Sequence, residues 1–148
     1  MMMIKAMVTG EKVLVLAALL LTSCSPSGPS EGAYKKSVKA ADESAAIQLL
    51  RTIASAQAQS KVTRGSYGDF NSLVQAGFLD QRFASTSPEL SGYRFRMSAT
   101  EAEFSVTADP QSSEGGPASR NRHFYLDSGD GAIHVNPTQT ATNADPVL

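Results

Sequence analysis

The sequence contains one cysteine, no tryptophan and no run of like charge. A single cysteine cannot form a disulfide within the chain, and it argues against a cysteine-based metal site. Lysine and arginine total 13 against 14 acidic residues, which are scattered along the chain. This balance predicts neither a nucleic-acid partner nor charge attraction to an anionic membrane surface. The 148 residues are enough for one domain rather than two.

A long hydrophobic run is also absent. Residues 13–21, VLVLAALLL, are nine apolar residues, whereas a membrane-spanning helix needs about 20. Lys5 and Lys12 precede this run and small residues follow it, an order typical of a secretory signal peptide. We therefore predict a cleaved signal at residues 1–23 rather than a transmembrane helix.

The one cysteine, Cys24, follows this segment directly. Leu-Thr-Ser-Cys at residues 21–24 resembles the bacterial lipobox, in which the thiol is acylated and the signal is cut just before it. This resemblance implies that Cys24 is the first residue of the mature protein and that acyl chains attach it to a membrane. The alternative is an ordinary secretory signal with a leftover free cysteine.

The acyl chains on Cys24 and the residue that follows it indicate which membrane would hold the protein. Several acyl chains hold a protein durably, because each buried methylene contributes about 0.8 kcal/mol. Ser25 stands where an aspartate resembles an inner-membrane retention signal, so the lipobox resemblance implies the bacterial outer membrane, facing the periplasm. Residues 24–34 are rich in Ser, Pro and Gly, a composition that predicts a flexible tether.

From residue 35 to Gly65 the chain has no proline and no internal glycine. Apolar residues recur at helical spacing and predict an amphipathic helix of about 25 residues, or about 38 Å. The predicted apolar stripe contains Ile47, Leu50, Ala54 and Ala58, widened by Leu49, Ile53 and Ala56. Most polar side chains, including Lys39 and Glu43, fall outside this stripe. Gly65 predicts the end of the helix.

A short second helix and four strands are predicted after Gly65. Asp69 is a candidate N-cap for the helix and Gly77 its terminator. The apolar period then becomes two, at 93–98 and 103–108, and a second hairpin is predicted at 122–135 around the turn SGDG. We predict an α+β fold over residues 35–136, a long N-terminal helix packed on a roughly four-stranded antiparallel sheet. Residues 137–148 lack periodicity and predict a disordered tail.

With these elements in order, the chain resembles the globular domain of type IV pilins and type II secretion pseudopilins. The similarity covers about residues 43–136, through ESAAIQLLRTIASAQAQ, SYGDFNSLVQAGFLD, GYRFRMSA, EFSVTA and FYLDSGDGAIHV. It implies a long helix laid across an antiparallel sheet. Family members carry a continuous apolar stalk helix, whereas here the apolar run at 13–21 is interrupted by SCSPSGPS. The resemblance therefore implies a pilin head whose filament-forming stalk is replaced by a lipid.

Candidate chemistry in the sequence is sparse. Asp127 and Asp130 are candidate calcium ligands, and some pseudopilins bind calcium. A calcium loop needs oxygen ligands at alternating positions and a glutamate near its end, but Gly129 occupies one such position and no glutamate follows. We therefore predict that these residues form a hairpin turn. His123 and His134 belong to the second hairpin and are predicted to face solvent. No serine lies in a G-x-S-x-G setting with a plausible His and Asp, and no glycine-rich loop joins a predicted strand to a helix. We predict no enzyme, no cofactor and no metal.

Four arginines form the candidate interaction patch. Alternation places Arg94 and Arg96 on one strand face, and Arg120 and Arg122 flank the end of the 109–121 loop. Together they would attract an anionic polymer or protein. The alternative is a solvated face with cross-strand partners such as Glu103.

The sequence therefore predicts a non-enzymatic, lipid-anchored protein of the bacterial cell envelope with a pilin-like interaction domain. Its expected partners are the membrane, through the acyl chains, and a protein or surface polymer, with no nucleic acid. The alternative is an accessory component of a type II secretion or type IV pilus system that docks onto pseudopilins.

Overall fold

The structure is a computed structural model that describes residues 31–111 and 121–148. The predicted signal peptide, Cys24 and Arg120 lie outside the described residues.

A long helix precedes an antiparallel sheet. Helix α1 spans Glu31–Arg64, α2 spans Phe70–Gln75, and a 3-10 turn follows at Gln81–Phe83. The described strands are β1 Glu89–Leu90, β2 Tyr93–Ala99, β3 Phe104–Pro110, β4 His123–Asp127 and β5 Ile133–Asn136. They lie side by side in chain order, and each pair of neighbours is antiparallel. The predicted α+β class is confirmed.

Within the described residues the sheet has five strands, where the sequence predicts about four. The additional strand, β1, pairs Glu89 with Arg94 and Leu90 with Tyr93. A tight turn at Ser91 and Gly92, both with positive φ, joins it to β2. Two residues are too few to show an alternation of period two, so the pattern predicts a loop here.

Helix α1 is longer than predicted. It has 34 residues, about 51 Å at 1.5 Å per residue, and it begins at Glu31 rather than at residue 35. The tether prediction is therefore wrong for residues 31–34, because Pro29 is the last proline before the helix and Gly32 adopts helical backbone within it. No helix among residues 31–111 and 121–148 combines the length and apolar character that crossing a membrane requires.

The buried face of α1 differs from the predicted stripe. Ala58 is exposed, whereas Glu43 is buried although its charge predicts solvent. Three of the buried positions are polar, and they recur with the apolar ones at steps of three and four: Glu43, Ala46, Leu50, Ile53, Gln57 and Ser60. Hydropathy alone misplaces this face, because the polar members are buried against specific partners described below.

Both helix boundaries around α2 follow the sequence prediction. The Asp69 carboxylate accepts the backbone N–H of Ser72 at 2.8 Å, which confirms the N-cap. Gly65 and Gly77 have φ of +77° and +75°, the left-handed conformation that ends a helix at glycine.

The core lies between the helices and one face of the sheet, here called the inner face. Inward residues alternate with outward ones along β2 and β3, as the period of two predicts. The largest fully buried apolar side chains come from both layers: Leu50, Ile53, Leu73, Phe83, Tyr93, Phe95, Phe124 and Leu126. The opposite side of the sheet is called the outer face.

Residues 137–148, here called the C-terminal strap, are ordered against the sheet. Ala141 is 1 % exposed, the Val135 N–H donates to the Pro146 carbonyl at 2.9 Å, and the Leu148 N–H donates to the Ile133 carbonyl at 2.8 Å. The predicted disordered tail is therefore wrong. Order comes from hydrogen bonds to β5 and within the strap, which a search for apolar periodicity does not detect.

Candidate binding surface

Arg94 and Arg96 lie together on the outer face, as the alternation of β2 predicts. Their side chains are 45 % and 56 % exposed, so both guanidinium groups remain accessible to a ligand. Arg94 Nε donates to Glu89 Oε1 at 2.9 Å, and Arg96 Nη1 donates to Asp109 Oδ2 at 3.0 Å. The suggested partner Glu103 is therefore wrong. β1 supplies one carboxylate, and a diagonal position on β3 supplies the other.

Arg122 does not join this pair. Its backbone N–H donates to Glu43 Oε1 and its Nε donates to Glu43 Oε2, both at 3.0 Å. Its guanidinium lies 5.7 Å from the centre of the Phe124 ring. Arg122 thus faces α1, and the predicted patch of four arginines is reduced on the outer face to Arg94 and Arg96 within the described residues.

Asp109 organises the outer face beside the arginines. Its Oδ1 accepts the Thr140 hydroxyl at 2.9 Å and lies 2.7 Å from His123 Nδ1, while Oδ2 binds Arg96. One carboxylate thereby connects β2, β3, β4 and the C-terminal strap. The alternation predicts a strand that ends at residue 108, so Asp109 is not among the predicted site residues, although it lies on the same strand face as Ser105 and Thr107.

A polar hollow lies between these groups. It has a volume of about 340 Å³ and is lined by Arg94, Arg96, Asp109, Pro110, Gln111, His123 and Thr140. The Arg94 guanidinium, with help from Gln111, lowers the pKa of the Glu89 carboxyl next to the hollow. Two exposed cations therefore stand beside two anions, an arrangement in which an anionic ligand competes with internal carboxylates.

The comparison with protein families identifies the domain. A family model described as type IV minor pilin ComP, DNA uptake sequence receptor, matches residues 32–120, more than half of the chain. The chain belongs to this minor-pilin family. The predicted resemblance to type IV pilins is confirmed. No curated protein and no solved structure gives a significant match.

The two histidines of this minor pilin are not opposite each other. His123 pairs with Asn136 and His134 pairs with Tyr125 across β4 and β5. His134 is 4 % exposed, so the prediction that it faces solvent is wrong. The strap covers it, a contact that only the tertiary structure creates.

The two aspartates of the second hairpin of this minor pilin accept hydrogen bonds from the backbone of the turn. Asp127 Oδ1 accepts the Gly129 N–H at 2.7 Å, and Asp130 Oδ1 accepts the Ala132 N–H at 2.8 Å. Gly131 has a φ of +67°. These bonds confirm turn chemistry for this segment. The described part of the chain contains no group of three or more side chains suited to hold a metal ion.

Proposed function

We propose that this minor pilin is a non-enzymatic binding protein of the bacterial cell envelope, anchored by acyl chains on Cys24, and that its outer face binds an anionic polymer. The observation that carries the proposal is the pair of half-exposed arginines beside the polar hollow, in a domain of the minor-pilin family. The accessory role in a secretion or pilus system is the second candidate, which the family description favours because it names a type IV minor pilin.

The anchor follows from the sequence around Cys24. Glu31, where the described part of α1 begins, comes seven positions later (31 minus 24). Seven extended residues reach at most about 25 Å, so an acylated Cys24 would keep the base of α1 close to the membrane. A lipid at this place supplies the membrane attachment for which the nine-residue apolar run is too short.

Cys24→Ala is expected to abolish acylation and to release the protein from the membrane fraction. Intact mass of the membrane-extracted wild type should show the mature chain from residue 24 with several acyl chains, and the variant should show none. Ser25→Ala is the matched control and should stay acylated and membrane-bound. Equal membrane retention and equal acyl mass for Cys24→Ala and the wild type would rule out the anchor.

DNA is the anionic polymer that the family description favours, since it names a DNA uptake sequence receptor. The family description therefore favours DNA as a partner, whereas the near-neutral net charge of the chain predicts no nucleic-acid partner. Arginine is suited to phosphate because its planar guanidinium donates two parallel hydrogen bonds. On binding, Arg94 and Arg96 would exchange their carboxylate partners, Glu89 and Asp109, for phosphate oxygens. Because these contacts are electrostatic, DNA binding should weaken as the salt concentration rises.

The double variant Arg94→Glu, Arg96→Glu is expected to weaken binding to duplex DNA at least tenfold and to reduce the salt slope by about two. Fluorescence anisotropy of a labelled duplex at several salt concentrations measures both. The control is Arg51→Glu, Arg82→Glu, which makes the same charge change at exposed arginines of α1 and the 3-10 turn. If both double variants lost the same DNA affinity, the change in net charge alone would explain the effect, and the outer face would not be the binding site.

The accessory role is tested separately. If the protein is a component of a secretion or pilus machine, cross-linking in intact cells should join it to other pilins, and those pilins should co-purify with it after membrane extraction. Capture of pilins together with DNA affinity unchanged in Arg94→Glu, Arg96→Glu would favour this role over polymer binding.

A further inference from the structure

The buried imidazole of His134 is bonded on both ring nitrogens. Nδ1 lies 2.7 Å from the backbone carbonyl oxygen of Asp145, and Nε2 lies 2.9 Å from Asp130 Oδ2. A carbonyl oxygen can only accept, and so can an ionised carboxylate. A neutral imidazole has one N–H and donates to only one of the two, whereas the imidazolium donates to both.

The groups around the ring favour the charged form. The Asp145 carbonyl raises the pKa of His134 most, Asp130 and Asp127 raise it further, and burial opposes them. The backbone N–H of Ala132, followed by His134, lowers the pKa of Asp130 and keeps that carboxylate ionised. Two other titratable groups of the described residues lie near the ring. The Asp145 carboxylate interacts with the His134 charge, and the Tyr125 ring centre lies 6.2 Å from the imidazole centre, with the Tyr125 hydroxyl donating to Asp127.

One side of this ring belongs to the body of the sheet and the other to the C-terminal strap. Asp130 is in the turn before β5, whereas Asp145 is in the strap. The Asp145 carboxylate also accepts the Thr142 N–H within the strap and the side-chain amide of Asn136 in β5, each at 2.8 Å. A change at His134 therefore acts at the place where the strap meets β5.

We propose that the C-terminal strap is a proton-dependent closure of the outer face, held shut while His134 carries both ring protons and loosened when the ring becomes neutral. In either neutral tautomer a ring lone pair faces an acceptor oxygen, at Asp130 or at Asp145. The charge-assisted bond to the strap, about twice as strong as a neutral one, is lost even where a neutral bond remains.

Loosening the strap changes the outer face. Thr140 of the strap donates to Asp109, which also binds Arg96 and His123. When the strap leaves, Asp109 loses one donor and β5 loses the strand-like contact with residues 146–148. The closure goes beyond the proposed function, and it stands whether the outer face binds DNA, another polymer or a protein.

The direction with pH follows from the raised pKa. Because the folded pKa of His134 lies above its unfolded value of about 6.5, the closure is fully stabilised below about pH 6.5. The stabilisation is lost as the pH rises through the folded pKa.

Hydrogen–deuterium exchange of the full-length protein tests this closure. At pH 6 the peptide covering 137–148 should exchange about tenfold more slowly in the wild type than in His134→Gln, and at pH 9 the two should agree within about twofold. Comparing variant and wild type at the same pH cancels the intrinsic rates. Arg51→Gln, at an exposed position of α1, is the control and should keep the wild-type response to pH. A wild-type to variant ratio that is the same at pH 6 and pH 9 would overturn the proposal.

Asp130→Asn provides a test of opposite sign. The asparagine Oδ1 can still accept the Ala132 N–H, while its Nδ2 can donate to the lone pair of a neutral His134. The neutral ring is then bonded on both sides. Exchange of the strap in this variant should be about tenfold slower than in the wild type at pH 9. A strap that opens with pH as in the wild type would show that the His134–Asp130 contact does not control it.

Discussion

Gln57→Leu is expected to lower the free energy of unfolding by about 3 kcal/mol, although leucine is the more apolar residue. Gln57 is fully buried, its Nε2 donates to the Gly68 carbonyl at 2.7 Å, and its Oε1 accepts the Gly68 N–H at 3.0 Å. Leucine removes both partners and leaves two buried backbone groups unsatisfied, each costing about 1–3 kcal/mol. Urea denaturation followed by circular dichroism measures the change.

The control for this variant is the same substitution two residues along the same helix. Gln59 is exposed, so Gln59→Leu should change the free energy of unfolding by less than about 0.5 kcal/mol. Similar losses for Gln57→Leu and Gln59→Leu would mean that the Gly68 contacts contribute nothing. The loss would then come from replacing glutamine by leucine anywhere on this helix.

Glu43→Ala is expected to cost about 2–3 kcal/mol of unfolding free energy. Glu43 is 8 % exposed, and Arg122 donates to its two oxygens from the backbone N–H and Nε, each at 3.0 Å, while Nη2 forms an ion pair with Oε2. Removing the carboxylate leaves the Arg122 backbone N–H without its acceptor and the guanidinium without its counter-charge. The Arg122 side chain is 41 % exposed, which keeps the loss below that of a fully buried pair.

Two comparisons isolate this interaction in urea denaturation. Glu101→Ala removes an exposed glutamate and should be neutral within about 0.5 kcal/mol. A double-mutant cycle with Arg122→Ala should show that the two residues are coupled, because each single variant already removes the shared contact. Additive losses from the two single variants would contradict the pairing.

The two residues share one structural role. Gln57 attaches α1 to the loop before α2, and Glu43 attaches it to the residue that precedes β4. Tyr93 adds to the contact between Glu43 and Arg122, because its hydroxyl donates to the Arg122 carbonyl at 2.9 Å. Burial, with the Glu43 charge adding, raises the pKa of that phenol. Polar contacts thus determine how the helix is positioned on the inner face, while apolar packing supplies the bulk of the contact.

Much of the fold follows from local patterns. The alternation of Tyr93 and Phe95 with Arg94 and Arg96 predicts both the strand and its outer face, because successive side chains of a strand point to opposite sides. Asp69 predicts a helix start for an equally local reason, since its bond to Ser72 spans three residues. The arginine pair of the candidate site is predictable on the same basis.

The partners of the polar residues are not predictable in this way. Arg122 is 79 positions from Glu43, and Thr140 is 31 positions from Asp109. A polar residue is read as exposed unless its partner is known. For that reason local patterns alone place Glu43 off the buried face of α1 and His134 in solvent, and they predict disorder for residues 137–148.

The sequence by itself determined the order of the elements, the faces of the strands and the pilin-like character of the domain, because each depends on residues that are close along the chain. Only the tertiary structure decided that Arg122 faces the helix instead of joining Arg94 and Arg96, and that the strap closes over His134. Both outcomes depend on hydrogen bonds between residues far apart in sequence, whose formation requires the sheet to be in place.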